Sequence, residues 1–160
     1  MNTDNKSNRS NRTMFRHQHG QSMVEFALIL PLFVLFIIGV FELGRAFFSY
    51  IAITNASREG TRVVTFWPGK TTVPNVIIAV ETEIETSPMV VKSDIDSIRI
   101  ECGSGYTWIN DGDGDDDAQL EACPSYQPIR VTVIYRFHPI LGFFLPDPLL
   151  MRRSAEMMVP

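Results

Sequence analysis

The stretch that decides the fold is Gln21–Arg45, QSMVEFALILPLFVLFIIGVFELGR. From Phe26 to Phe41 it runs sixteen residues without a charge and almost without a polar atom. At 1.5 Å per residue that is about 24 Å of helix, slightly less than the roughly 30 Å hydrocarbon core of a bilayer. Adding Met23 and Val24 on one side and Leu43 on the other closes the gap and takes in Glu25 and Glu42. A buried helix of a soluble protein would need a polar stripe, and leucine and phenylalanine cover every face here. A removable secretory signal would need a small-x-small cleavage site just after the run, and Glu42-Leu43-Gly44-Arg45-Ala46-Phe47 offers no convincing one. The reading that remains is a retained single-pass helix.

Charge gives it a direction. Residues 1–20 hold four bases (Lys6, Arg9, Arg12, Arg16) against Asp4, whereas residues 21–160 hold ten bases and seventeen acids. A small basic head and a larger acidic body fit a cytoplasmic N-terminus with residues 44–160 extracytoplasmic, in the cytoplasmic (inner) membrane if the cell is bacterial. Cys102 and Cys123 both fall on the outer side, where a disulfide forms and persists. The chain of 160 residues, 45% hydrophobic and 20% charged, is neither a nucleic-acid binder by composition nor disordered overall.

Helical character continues past the membrane to about Val64, interrupted only by Pro31, Gly39 and Gly44, and ends at Trp67-Pro68-Gly69. Phe47, Tyr50, Ile51, Ile53, Ala56 and Val63 are expected to form its inward stripe, with Arg45, Arg58, Glu59 and Arg62 on the wet side. Asn75 reads as the cap of a second helix over Val76–Glu85, with Val76, Ile77, Val80 and Ile84 inward. Residues 95–102 alternate as a strand with Asp96, Ile98, Ile100 and Cys102 inside. Ile129–Phe137 is the clearest strand, carrying Ile129, Val131, Val133, Tyr135 and Phe137 on one face, and Leu149–Val159 adds another. The expected fold is α+β: a long N-terminal helix, membrane-spanning in its first half, packed on a small antiparallel sheet of three or four strands. Its divisions are a basic leader (1–20), a transmembrane helix (21–43), an extension of that helix outside the membrane (44–67) and a small extracytoplasmic domain (68–160).

Between strands, Cys102 to Cys123 encloses a glycine- and aspartate-rich loop, and a disulfide closing it would contribute roughly 3 kcal/mol. Asp111, Asp113 and Asp115 have the every-second spacing of the first oxygens of calcium loops. Asp117 and Glu121 are the further candidate ligands. The EF-hand pattern then fails, because position six is Asp116 and position twelve is Ala122; a hydrated acidic turn is the competing reading. Calcium is the single cofactor this loop suggests. Pro139–Pro146, apolar and bracketed by prolines, reads as a core or membrane-proximal loop, or as a docking surface for another subunit.

Gly20 followed by QSMVEFALILP, then GVFELGRAFFSYIAITNASREGTRV, resembles the TadE-like pseudopilins of the tight-adherence (Flp/Tad) pilus system. The likeness is dense over residues 20–64, including Pro31, Glu42–Arg45 and Ala56–Gly60, and weak through the middle. It implies a pilin-like fold, cleavage by a prepilin peptidase between Gly20 and Gln21, and a glutamate, Glu25, at the fifth mature position. In pilin assembly that glutamate pairs with the new N-terminal amine of a neighbouring subunit. A carboxylate near bilayer depth is costly unless paired, which suits that role. Gln21 complicates it, since an N-terminal glutamine can cyclise and lose its amine charge. The implied partners are membrane lipid, the prepilin peptidase, other pilins or pseudopilins and the assembly machine.

No enzyme site is legible. His17, His19 and His138 are scattered, and nucleophile elbow, phosphate loop and zinc spacing are all missing. Three readings stand: a minor pilin or pseudopilin acting by assembly in adhesion or, in a secretion system, export; a membrane-anchored binding module using the Cys102–Cys123 loop with Tyr106 and Trp108; and a hydrolase using the acidic loop.

Overall fold

The computed structural model describes residues 18–67, 70–103, 105–110, 123, 125–140, 142 and 146–160. In chain order these form α1 (Gln18–Phe66), α2 (Val73–Glu85), a single 3-10 turn (Lys92–Asp94), and strands β1 (Ile95–Cys102), β2 (Tyr106–Asn110), β3 (Pro128–Phe137) and β4 (Leu149–Met158). By its internal contacts the chain divides between Ile38 and Gly39. Ahead of that division, the described residues are α-helical and their side chains are exposed from Gly20 to Ile37. This is the one helix among the described residues that is long and apolar enough to cross a membrane. Pro31 lies inside it without ending it, as membrane helices tolerate.

From Gly39 onward the chain is α+β. The four strands form one antiparallel sheet in the order β2-β1-β3-β4. One face of it carries Ile98 and Ile100 from β1 and Ile129, Val131, Val133, Tyr135 and Phe137 from β3. These pack with Val76, Ile77, Val80 and Ile84 of α2 and with Ile53, Ala56 and Val64 of α1 in a single core cluster. Each fully buried isoleucine or valine in it stabilises the fold by about 1.5–3 kcal/mol. The other face carries charge: Arg130 pairs with Glu156 at 2.6 Å and lies 3.7 Å from Glu101, and Arg136 pairs with Asp96 at 3.1 Å.

Four expectations are corrected. The first concerns α1, whose inward face is not the large-residue stripe. Ile53 and Ala56 are buried, but Phe47, Tyr50 and Ile51 are exposed and Val63 is half-buried. The buried set is Ser49, Ala52, Ile53, Ala56, Ser57, Gly60, Thr61 and Val64, mostly small side chains. Small residues let the helix axis approach its neighbours: a Cβ on Gly60 would lie 2.8 Å from Val80, 3.1 Å from Val131 and 3.3 Å from Val76. Large side chains on that face would hold the elements apart.

Secondly, the register of β1 shifts between Ile95 and Ser97 against β3. Such a bulge inserts one residue and exchanges faces on its far side. Ile95 therefore packs on the core, while Asp96, expected inside, makes its ion pair with Arg136. Thirdly, α2 begins at Val73, with Thr72 as the N-cap and Pro74 in the first turn. Proline is pre-organised for a first turn and gives up only an N–H that has no helical partner there; Asn75 is thus inside the helix.

Fourthly, Tyr106–Asn110 is a strand, not loop. It pairs antiparallel with β1, setting Trp108 opposite Ile100, and Trp108 packs against the core. The tight connection uses Gly105 at φ 94, with its N–H donating to the Cys102 carbonyl at 2.9 Å. Left-handed backbone of this kind favours glycine.

Candidate functional site

The residues expected to carry function lie at two levels of α1. At its start, Gly20 has nothing within 4 Å of where a Cβ would stand. Among the described residues nothing requires glycine there. One turn on, the Gln21 side-chain amide donates to the Glu25 carboxylate at 3.1 Å, an i,i+4 contact on an exposed face. The expected cleavage-site residues and the glutamate expected to pair therefore sit on adjoining turns of one surface.

The second level is one that sequence reasoning missed. Glu42 is 5% exposed, the one acidic residue buried among those described. It was legible only as an acid beside the apolar run. In the folded chain it accepts two hydrogen bonds of 3.1 Å from Arg45 and a third, of 3.0 Å, from the backbone N–H of Ile140. Arg45 lies in turn over the Phe137 ring, 5.3 Å from its centroid. One carboxylate thus fastens the segment after β3 to α1, and its charge is met by a guanidinium and a peptide N–H. The signal available in the sequence was the i,i+3 spacing of Glu42 and Arg45; the partner ninety-eight positions away had none.

Further along α1, Glu59 and Arg62 form an exposed pair, with Arg62 Nε donating to Glu59 at 2.7 Å. The hydrogen bond from Arg62, outweighing partial burial, holds the Glu59 carboxyl below its ordinary pKa. Its neighbours Ala56, Ser57, Gly60 and Thr61 are buried, so the Ala56–Gly60 block serves helix–sheet packing on one side and a solvated ion pair on the other.

Cys102 and Cys123 are disulfide-bonded. The calcium candidates Asp111, Asp113, Asp115, Asp117 and Glu121 lie outside the described residues, as do Leu141 and Phe143–Leu145 of the proline-bracketed run. Among the described residues no group of histidine, cysteine, aspartate or glutamate is arranged to hold a metal. His138 is occupied by Asp147, at 2.7 Å.

An exposed apolar helix with polar groups at its two ends, continuing into a helix-on-sheet domain, is a pilin-like arrangement. Residues 20–62 match the family described as TadE-like protein. Over these residues the chain is similar to TadE-like proteins. No curated protein and no solved structure matches it. The match takes in Gly20, Glu25, Glu42, Arg45 and the buried small-residue face of α1 through Thr61, and it stops before the sheet begins. That similarity suggests a Tad pilus-associated, pilin-like protein anchored by its apolar helix.

Proposed function

We propose that this chain is a minor pilin or pseudopilin of a Tad-type pilus, matured by a prepilin peptidase and acting by assembly rather than catalysis. The peptidase cuts between Gly20 and Gln21 and removes the basic leader, and the apolar helix stays in the cytoplasmic membrane with the sheet domain outside. Glu25 then pairs with the new amine of a neighbouring subunit. The observation that supports this reading is the match of residues 20–62 to the TadE-like family, which begins at Gly20 and takes in Glu25. At Gly20, as at Gly39 and Gly44, no described residue lies within 4 Å of where a Cβ would stand, so packing sets no bar to recognition of the glycine by another protein.

Glu25 fits the same account. Its contact with the neutral Gln21 amide leaves its charge uncompensated in an apolar environment, and a neighbouring ammonium would neutralise it. The basic leader sets the topology, and the Cys102–Cys123 bond suits an oxidising compartment outside the membrane. The test is Gly20→Ala, which leaves the helix intact. Intact-mass measurement of membrane-extracted protein should show wild type beginning at Gln21 and the variant retaining its leader. Normal processing of the variant would remove the assignment.

A further inference from the structure

The strand order β2-β1-β3-β4 leaves β2 and β4 each with a strand on one side only among the described residues. β4 pairs with β3 along its whole length without a shift in register, and it contains no proline. Neither of these common devices blunts that edge. Val159 donates its N–H to the Gln127 carbonyl and accepts the Tyr126 N–H on its own carbonyl. By alternation, residues 150, 152, 154, 156 and 158 point their backbone groups away from β3, at the open edge. Across the sheet, the Gly103 N–H donates to the Pro128 carbonyl at 2.9 Å. The same alternation turns the backbone groups of Thr107 and Ile109 to the open side of β2.

The two edges differ in charge. Ser154 stands opposite Thr132, Thr132 opposite Arg99 and Arg99 opposite Ile109, one row across the sheet face that points away from the helices. Arg152 is the next residue of β4 on that face, exposed and without an ion-pair partner among the described residues. On the β2 side, residues 111–121 carry six acids and no base. That segment is tethered there at both ends, by Asn110 on β2 and by the bond of Cys123 to Cys102.

We propose that β4 docks β2 of a second copy of this chain, set beside it in the same orientation, so that the sheet continues from copy to copy. An antiparallel sheet of four strands has end strands of opposite direction, so a copy displaced sideways without rotation presents β2 antiparallel to β4. With the rows kept level, the second copy's Ile109 meets Ser154 and its Thr107 meets Glu156. The alternation carried past Asn110 then sets its Asp111 opposite Arg152. A slip of two residues sets Asp113 there instead, because every second residue from Asp111 to Asp115 is an acid. Neighbouring α1 helices are then parallel and about 19 Å apart, as copies anchored in one membrane require. A two-fold pairing of β4 with β4 fails that requirement. α1 runs along β3, with Arg45 over Phe137, Thr54 bonded to Arg153 and Gly60 against Val131, so the two-fold would make α1 enter the two domains from opposite sides. The head-to-tail contact does not close on itself and builds an open row. The proposal rests on the membrane-anchored reading above and adds a subunit contact to it.

The experiment uses the full chain carrying Arg152→Lys, which keeps the charge and supplies an amine. Isotope-labelled and unlabelled copies are mixed in phosphatidylcholine vesicles and treated with a water-soluble carbodiimide, which joins a carboxylate to an amine in contact with it. Cross-links are mapped by mass spectrometry. Lys92, paired with Glu81, gives a link within one copy and is the internal control. The row adds links from the amine at position 152 to Asp111 or Asp113 that join labelled to unlabelled peptides. Adding Ser154→Pro removes an edge-facing N–H and no bond to β3; it should reduce those links at least fivefold and leave the Lys92–Glu81 link unchanged. Links from position 152 that are absent, confined to one copy or indifferent to Ser154→Pro would overturn the proposal while leaving the anchor intact. Links from position 152 to Glu156 of another copy would establish the two-fold arrangement and overturn it equally. A chain that does not float with the vesicles would remove the anchored reading itself, and the row with it.

Discussion

Gly60→Ala tests how closely α1 lies on the sheet. The added Cβ would stand 2.8 Å from a Val80 methyl, 3.1 Å from one of Val131 and 3.3 Å from one of Val76. Ordinary carbon contacts lie at 3.5–4.0 Å. All three neighbours are β-branched and therefore stiff at χ1, and they come from both α2 and β3, so no single rotation relieves the crowding. Overpacking of this kind costs about 2–3 kcal/mol, offset by about 1 kcal/mol of helix propensity gained on leaving glycine. The net is a loss of about 1–2 kcal/mol, a fall in Tm of roughly 2–8 °C for a chain of this size. Thermal unfolding of the detergent-solubilised full chain, followed by near-UV circular dichroism, measures it. Gly44→Ala is the internal control, because a Cβ there meets nothing within 4 Å, and it should raise the Tm by a few degrees. If both variants shift the Tm upward together, the close helix–sheet approach is wrong.

Two other sites give distinct signals. Glu42→Ala leaves Arg45 and the Ile140 N–H without their acceptor and should cost about 2–3 kcal/mol, with amide exchange at Ile140 accelerating at least tenfold. Glu42→Gln keeps an acceptor for Ile140 and should recover part of that protection. The Tyr135 hydroxyl accepts from the Val91 N–H at 3.4 Å and lies 3.5 Å from Asp94, and burial, foremost, raises its pKa above the ordinary 10.0. The native state therefore keeps a proton that the unfolded chain releases, so this contribution is present below pH 10 and is lost as pH rises through the native pKa. Urea midpoints measured from pH 8 to 11 should fall at the alkaline end, less steeply in Tyr135→Phe; identical slopes would remove Tyr135 as the cause.

What could be read from the residues follows from how local each cause is. The apolar run and the alternation of Ile129–Phe137 are periodicities of neighbouring residues, and both survive in the fold as α1 and β3. The strand Tyr106–Asn110 has aromatic and β-branched residues of its own, but glycines before it and aspartates after it made the whole stretch read as loop. Asp96 lies on the face opposite to the one alternation predicts, because a bulge depends on the partner strand. Glu42 was invisible as a buried group because half of what buries it comes from the far side of β3. At Gly20 and Glu25 the spacing was legible, since glycine, glutamate and the apolar run are contiguous, and the fold adds that neither position is engaged by the core.

The inward stripe of α1 differs from its most hydrophobic one for a reason that bears on what the helix does. Hydrophobicity alone ranks Phe47, Tyr50 and Ile51 as core, yet the sheet selects Ala52, Ala56, Ser57 and Gly60 because only small side chains permit the approach seen at Gly60. The large side chains are left on the outer face, 39–62% exposed, where each forfeits part of the about 1.5–3 kcal/mol that full burial gives unless lipid or another subunit covers it. Packing of the domain and covering of the helix are then separable properties of one element. Phe47→Ser should separate them experimentally. It removes no core contact, so the Tm of the solubilised chain should stay within the small range of surface substitutions, about ±0.5 kcal/mol. The same change takes a large apolar side chain from the outer face of α1, so partition of the solubilised chain into lipid vesicles should weaken. A Tm loss as large as that of Gly60→Ala would mean that Phe47 is structural after all, and that the division between an inner face of small residues and an outer face of large ones does not hold.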